Sequence, residues 1–133
     1  MPMHRACAGG IVFDQAHRLL LIQRGTPPAP GSWSLPGGRC RPGEDPAAAC
    51  VREVAEETGL HVVVLRSAGR VQRAAPDGSI YDIEDFVCEA VSGDLEAGDD
   101  AADVRWVTRA ELATLTVVPP LFDTLHEWDC LPD

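Results

Sequence analysis

The stretch DPAAACVREVAEETG, residues 45 to 59, constrains this chain more than any other. Asp45 suits an N-cap, Pro46 a first helical position where no amide hydrogen is needed, and Gly59 a left-handed C-terminal residue. The spacing predicts a helix over 46–58. At about 100° of turn per residue, Ala47, Val51, Val54, Ala55 and Thr58 gather on one side, and Glu53, Glu56 and Glu57 share an arc of about 100° on the other. Such a helix needs a sheet or another helix to cover its apolar face. Its acidic face is a separate problem, because like charges three or four apart cost an isolated helix ~0.2–0.5 kcal/mol per pair. Either solvent and Arg52, at the i+4 spacing from Glu56, relieve the repulsion, or the three carboxylates hold a divalent cation.

The rest of the chain reads as mixed α and β. HRACAGGIVFD is a first strand in which Gly9 and Gly10 suggest a bulge or a close backbone approach. RLLLIQRG is a buried-type strand, TPPAPGS a surface loop, and WSLPGG a short strand running into a glycine turn. After the helix, LHVVVLRSAGRVQRA and IYDIEDFVCEAV flank the turn PDGS and read as a hairpin. SGDLEAGDDAAD is an acidic loop before the strand VRWV. Thr108 and Glu111 form a capping box, and Leu121, Leu125 and Trp128 lie on one side of a last helix. With 133 residues, 45% of them apolar, a single domain over 1–133 is expected.

Net charge narrows the partners. At −10, with eleven arginines and no lysine, the chain is a poor match for a nucleic-acid polymer. A phosphate compound would also be repelled unless metal ions and a few arginines supply local positive charge. No apolar run approaches the roughly 18 residues of a membrane span, and the N-terminus lacks a signal-peptide core, so a cytoplasmic protein with no membrane partner is expected. Cys7, Cys40, Cys50, Cys88 and Cys130 are odd in number and show no C-x-x-C spacing, which favours reduced thiols.

From Gly38 the chain gives five residues, Glu44, seven residues, Arg52, Glu53, Val54, one residue, Glu56, Glu57, one residue, Gly59 and Leu60. This resembles the signature box of the Nudix hydrolases, G-x5-E-x7-R-E-U-x-E-E-x-G-U with U aliphatic, at every specified position. A chance match in a chain of this length is on the order of 10⁻⁷ from average composition. The resemblance implies an α/β fold of the α+β mixed-sheet kind, an α/β/α sandwich with the sheet between helices. It also implies Mg²⁺-dependent hydrolysis, with Mn²⁺ as a substitute, of the diphosphate linkage in a nucleoside diphosphate derivative. The substrate would be a small nucleotide, and both a monomer and a homodimer agree with it.

By the same resemblance Glu53, Glu56 and Glu57 are metal ligands and Arg52 orients them. Gly37 and Gly38 would let the loop backbone approach the helix and substrate closely, and Arg24, Arg39 and Arg41 are candidate phosphate clamps. Glu44 is either a further ligand or a favourable charge at the helix N-terminus. Glu53 and Glu56 lead as the group that takes a proton from water, with Glu84, Asp85, Asp99, Asp100 and Asp103 as alternatives. Trp33 reads as core rather than a base-stacking residue, as do Trp106 and Trp128. Pro76, sixteen residues past Leu60, matches a mark of ADP-ribose hydrolysing members, but turn chemistry also accounts for it. A silent nucleotide-sensing module and an acidic interaction domain are the rival readings.

Overall fold

The computed structural model describes residues 1–25, 30–98 and 100–133. The elements run β1 (His4–Phe13), β2 (Leu19–Arg24), β3 (Trp33–Ser34), β4 (Gly37–Arg39), α1 (Pro46–Thr58), β5 (Leu60–Ala74), β6 (Ile80–Gly93), β7 (Ala101–Val107), α2 (Arg109–Leu112) and α3 (Leu121–Glu127). All seven strands join one mixed sheet in the order β3-β2-β1-β6-β5, with β4 on β1 and β7 on β2. β1 and β6 are parallel over their full register, and the other pairs are antiparallel.

Alternation along the strands sends side chains to two cores. Ala8, Val12, Leu20, Phe86 and Cys88 face α1 and meet Ala49, Cys50 and Val54. Ile11, Leu19, Leu21 and Val87 face the other way and meet Leu112, Leu121 and Leu125 of α2 and α3. This is a mixed sheet between helices, as expected from the sequence. Each fully buried Leu, Ile or Val contributes roughly 1.5–3 kcal/mol, so both helix layers are held mainly by these contacts.

Several local expectations need adjustment. Asp45 occupies the N-cap position, but its side chain makes no cap hydrogen bond; Pro46 sets the helix start without it. The packed face of α1 is rotated from the wheel: Ala49 and Cys50 are buried, while Ala47, Val51 and Ala55 are half-buried. Small side chains there let the helix come close to the sheet, and a Cβ on Gly10 would lie 3.0 Å from Val54 and 3.4 Å from Cys50. The glycines of WSLPGG form strand β4 against β1 rather than a turn. Gly59 ends α1 as expected, with φ of 76° and its amide on the Ala55 carbonyl. The turn at Asp77 and Gly78 and the capping box at Thr108 and Glu111 are both present. β7 begins at Ala101, inside the stretch expected to be loop. Most of TPPAPGS lies outside the described residues. Among the described residues no helix is long and apolar enough to cross a membrane.

Candidate active site on the acidic face of α1

Arg52 organises the acidic face. Its Nε and Nη2 donate to the two oxygens of Glu44 at 2.9 and 2.8 Å, and Nη1 donates to Glu53 at 2.9 Å and to both oxygens of Glu56 at 3.3 Å. Nη2 also reaches the Arg39 carbonyl at 3.1 Å. One planar guanidinium thereby faces three carboxylates, which only its fork of donors allows. Glu44 receives the Arg41 amide at 2.9 Å as well. The Arg52 hydrogen bonds, with that amide, hold the Glu44 carboxyl down to about 2. Glu44 is thus Arg52's bidentate partner, a role the sequence did not suggest.

Glu57 sits deeper. It accepts the Gly37 amide at 3.0 Å. Burial pushes its carboxyl up to about 8, and the neighbouring Glu53 adds to the rise, against the pull of the Gly37 amide. The two glycines before the helix have separate steric reasons. A Cβ on Gly38 would lie 2.6 Å from the Glu53 carboxyl carbon, and one on Gly37 would lie 2.5 Å from the Ala8 carbonyl oxygen and 2.8 Å from the Gly9 Cα. The first would displace a carboxylate, the second the backbone of β1.

These residues border a cavity of about 610 Å³. Glu53, Glu56, Glu57 and Asp100 make its acidic side, Gly37 and Gly38 its edge, and Ile22, Leu35 and Arg24 complete it. Asp100 arrives because the acidic loop is fastened to the end of α1. The amides of Glu96 and Gly98 donate to the carbonyls of Thr58 and Glu57 at 2.9 and 2.8 Å, taking up two helix-end acceptors. Gly98 runs so close to the Glu56 carbonyl that no side chain fits there. Ile22, Leu35 and Gly98 were not singled out from the sequence, because only the folded arrangement of β2, β3 and the loop makes them neighbours of the helix.

The other candidates separate. Arg24 borders the cavity, whereas Arg39 does not; its guanidinium lies over the Tyr81 ring at 5.6 Å and bonds the Tyr81 hydroxyl at 3.2 Å. Arg41 approaches Glu56 at 3.6 Å from an exposed position. Glu84 is taken by Ser67 at 2.8 Å and Arg70 at 3.6 Å. Asp85 is buried on the sheet face away from α1, Asp103 bonds the following amide, and Asp99 lies outside the described residues. Trp33 is buried in the core, where the Arg105 guanidinium stands 5.7 Å from its ring; Trp106 and Trp128 are half-buried against the two cores. Pro76 belongs to the turn before Asp77. All five cysteines are free thiols.

Among the described residues no three acidic or imidazole side chains converge on one point. Glu53 and Glu56 turn to Arg52, and Glu57 to Gly37. The donor set still suits a hard cation. Its groups are carboxylate oxygens on one cavity wall, the ligand chemistry such an ion takes.

The NUDIX domain family matches residues 3–128, and the chain belongs to that family. It is 35% identical over 106 residues to a protein of Methanocaldococcus jannaschii named ADP-ribose pyrophosphatase, covering 78% of this chain and 62% of that one, so the chain spans less than two thirds of that relative's length. It is 37% identical over 113 residues to a Mycobacterium tuberculosis protein provisionally named 8-oxo-dGTP diphosphatase 2, covering 84% of this chain and 78% of that one. The crystal structure of the MutT NUDIX hydrolase from Burkholderia pseudomallei superposes with a TM-score of 0.83 at 23% identity, covering 93% of this chain and 97% of that one, which shows the shared fold.

Proposed function

We propose that this protein is a divalent-metal-dependent pyrophosphohydrolase of a nucleoside diphosphate derivative. The observation that carries the reading is the cavity where Glu53, Glu56 and Glu57 meet the bare backbone of Gly37 and Gly38. Mg²⁺, or Mn²⁺ in its place, would be held by those glutamates and would neutralise charge on the phosphate oxygens. The chain's own residues do the rest. Arg52 keeps Glu53 and Glu56 from turning outward, and Gly37 fixes Glu57 through its amide. Arg24 supplies positive charge on the far side of the cavity for a phosphate. Glu56 is half exposed at the cavity, so among the three it is the carboxylate most open to water and the one assigned to take its proton. The acidic loop contributes Asp100 as a second carboxylate near that water.

Both relatives' names point to small nucleotides, ADP-ribose in one case and a purine nucleoside triphosphate in the other. Incubation with a nucleotide panel and Mg²⁺ should release a nucleoside monophosphate together with phosphate, diphosphate or a phosphorylated sugar. Absence of turnover with either metal, alongside nucleotide binding, would instead establish a sensing module. Independence of both metal and nucleotide would leave an acidic interaction domain.

A further inference from the structure

A second cavity, of about 350 Å³, opens where the N-terminal end of β1 meets the segment after β4. Arg5, Arg39 and Arg41 line it together with Glu44. Three guanidiniums around one cavity repel one another. Composition does not force the arrangement, because the chain has 21 acidic residues against 11 basic ones. Glu44, the acid in this lining, is already engaged: its two oxygens receive Arg52 at 2.9 and 2.8 Å, and one of them also receives the Arg41 amide.

The three cations are loosely paired. Arg5 stands 3.5 Å from Asp77 and Arg41 stands 3.6 Å from Glu56, against the 2.8 and 2.9 Å that separate Arg52 from Glu44 and Glu53. Arg39 bonds the Tyr81 hydroxyl at 3.2 Å and makes no ion pair among the described residues. Arg5 carries a further mark. Its Nε is buried and, among the described residues, has no hydrogen-bond partner. Leaving a buried charged donor without an acceptor is costly, so the position is not one that packing alone would favour. An orphaned donor and three converging cations ask for the same chemistry, an anion with several oxygen acceptors.

We propose that this second cavity is an anion site that takes a phosphate group. A tetrahedral phosphate presents oxygens in several directions and meets guanidinium forks in pairs, whereas a planar carboxylate serves one fork. Arg5 would turn its fork, Nε included, onto the anion, with Arg39 and Arg41 closing on it from the end of β4. The proposal goes beyond the reading of the acidic cavity and does not depend on it, since the two linings share no residue. Two sources carry such a group: free orthophosphate, and a further phosphate on a nucleotide held in the acidic cavity. The backbone from Gly38, beside the first cavity, to Arg41, beside the second, spans no more than about 11 Å, which is within the length of a nucleotide.

The test titrates the full chain with inorganic phosphate by calorimetry, in EDTA and at constant ionic strength. Without a metal the acidic cavity repels phosphate, so the titration reads the second cavity. The wild type should take up one phosphate per chain. Arg5→Gln and Arg41→Gln should each weaken that uptake at least about 10-fold, the loss expected for a hydrogen bond between charged groups. Arg24→Gln, in the first cavity, should leave it unchanged. Arg41 is 67% exposed, so its variant keeps the test decisive even if Arg5→Gln fails to fold. No saturable uptake, uptake weakened equally by Arg24→Gln, displacement by chloride as readily as by sulfate, or an Arg41→Gln protein that binds like the wild type would overturn the proposal. Turnover with Mg²⁺ separates the sources. A phosphate borne by the substrate predicts that Arg5→Gln raises KM about 10-fold with kcat little changed, and free orthophosphate predicts KM within about twofold of the wild type. Phosphate uptake in EDTA by a protein that hydrolyses no nucleotide would sink the pyrophosphohydrolase reading and leave this site standing.

Discussion

The half-buried Glu57, under the acidic face of α1, and the buried Asp85, on the opposite face of the sheet, are both carboxyls pushed above the ordinary carboxylate range. Their surroundings differ. Glu57 has the Gly37 amide, the pull of Arg24, and a cavity that can admit a cation. Asp85 has an apolar setting and one arginine at a distance. The contrast teaches that burial alone does not define a role. Burial is the first cause of both shifts, and what separates the two carboxyls is that an amide, an arginine and a cavity stand beside Glu57 alone.

The largest test of that contrast is Glu57→Gln. On the proposed role of Glu57 as a metal ligand it should cost at least about 10³ in kcat/KM, equivalent to ~4 kcal/mol. Near neutral pH the apo protein should not melt earlier, because a carboxyl raised to about 8 is mostly protonated there and Gln keeps its shape and an acceptor oxygen for the Gly37 amide. A variant that loses stability along with rate would show that Glu57 is a structural anchor.

Stability against pH probes the other carboxyl. The Asp85 carboxyl is raised from 3.8 to about 6 in the fold, so the folded state binds its proton more tightly than the unfolded state. Its contribution is therefore complete below pH 3.8 and lost as the pH rises through about 6. The loss is on the order of 3 kcal/mol at most. Denaturant midpoints between pH 4 and 8 should decline in the wild type, and Asp85→Asn should flatten that decline. An unchanged profile would mean that Asp85 has a compensating partner in solution.

A smaller effect on stability than that at Asp85 should come from Arg52→Met. Three partly exposed carboxylates lose their shared donor, which lowers stability at neutral pH by an amount that solvent screening keeps modest. Glu44 gives this variant a pH signature. Its carboxyl is held down to about 2 from 4.5, so the stabilisation is present above pH 4.5 and disappears as the pH falls through 2. Thermal melts of wild type and variant should therefore converge in acid. Activity should fall as Glu53 and Glu56 lose their orientation, and a variant with full activity would remove Arg52 from the site.

Much of this is legible in the sequence. The boundaries of α1 followed from Pro46 and Gly59, whose backbone preferences are local, and the strands followed from their apolar runs. The acidic face with its preceding glycines was equally readable, because a single helix and the turn before it lie within one short segment. What escaped depended on distance along the chain. Gly98 and Asp100 reach the cavity only because β6 returns the chain to the end of α1, and Ile22 and Leu35 only because β2 and β3 lie alongside β4. Arg39 was grouped with Arg24 by nearness in sequence to the box, yet β4 turns it toward Tyr81. Asp85 was visible as an acid on a hairpin, but its face and its burial are properties of the sheet.

The two amides that tie the loop of Glu96 and Gly98 to the last carbonyls of α1 make that loop an extension of the helix rather than a flap over it. The span of backbone between this knot and the start of β7 is short, so Asp100 inherits its position from the helix axis. Inserting residues after the knot would change what the rim recognises while leaving the glutamates undisturbed. Inserting them before it would unfasten both. The molecule thereby separates the segment in which new selectivity can be acquired from the one in which it would be lost.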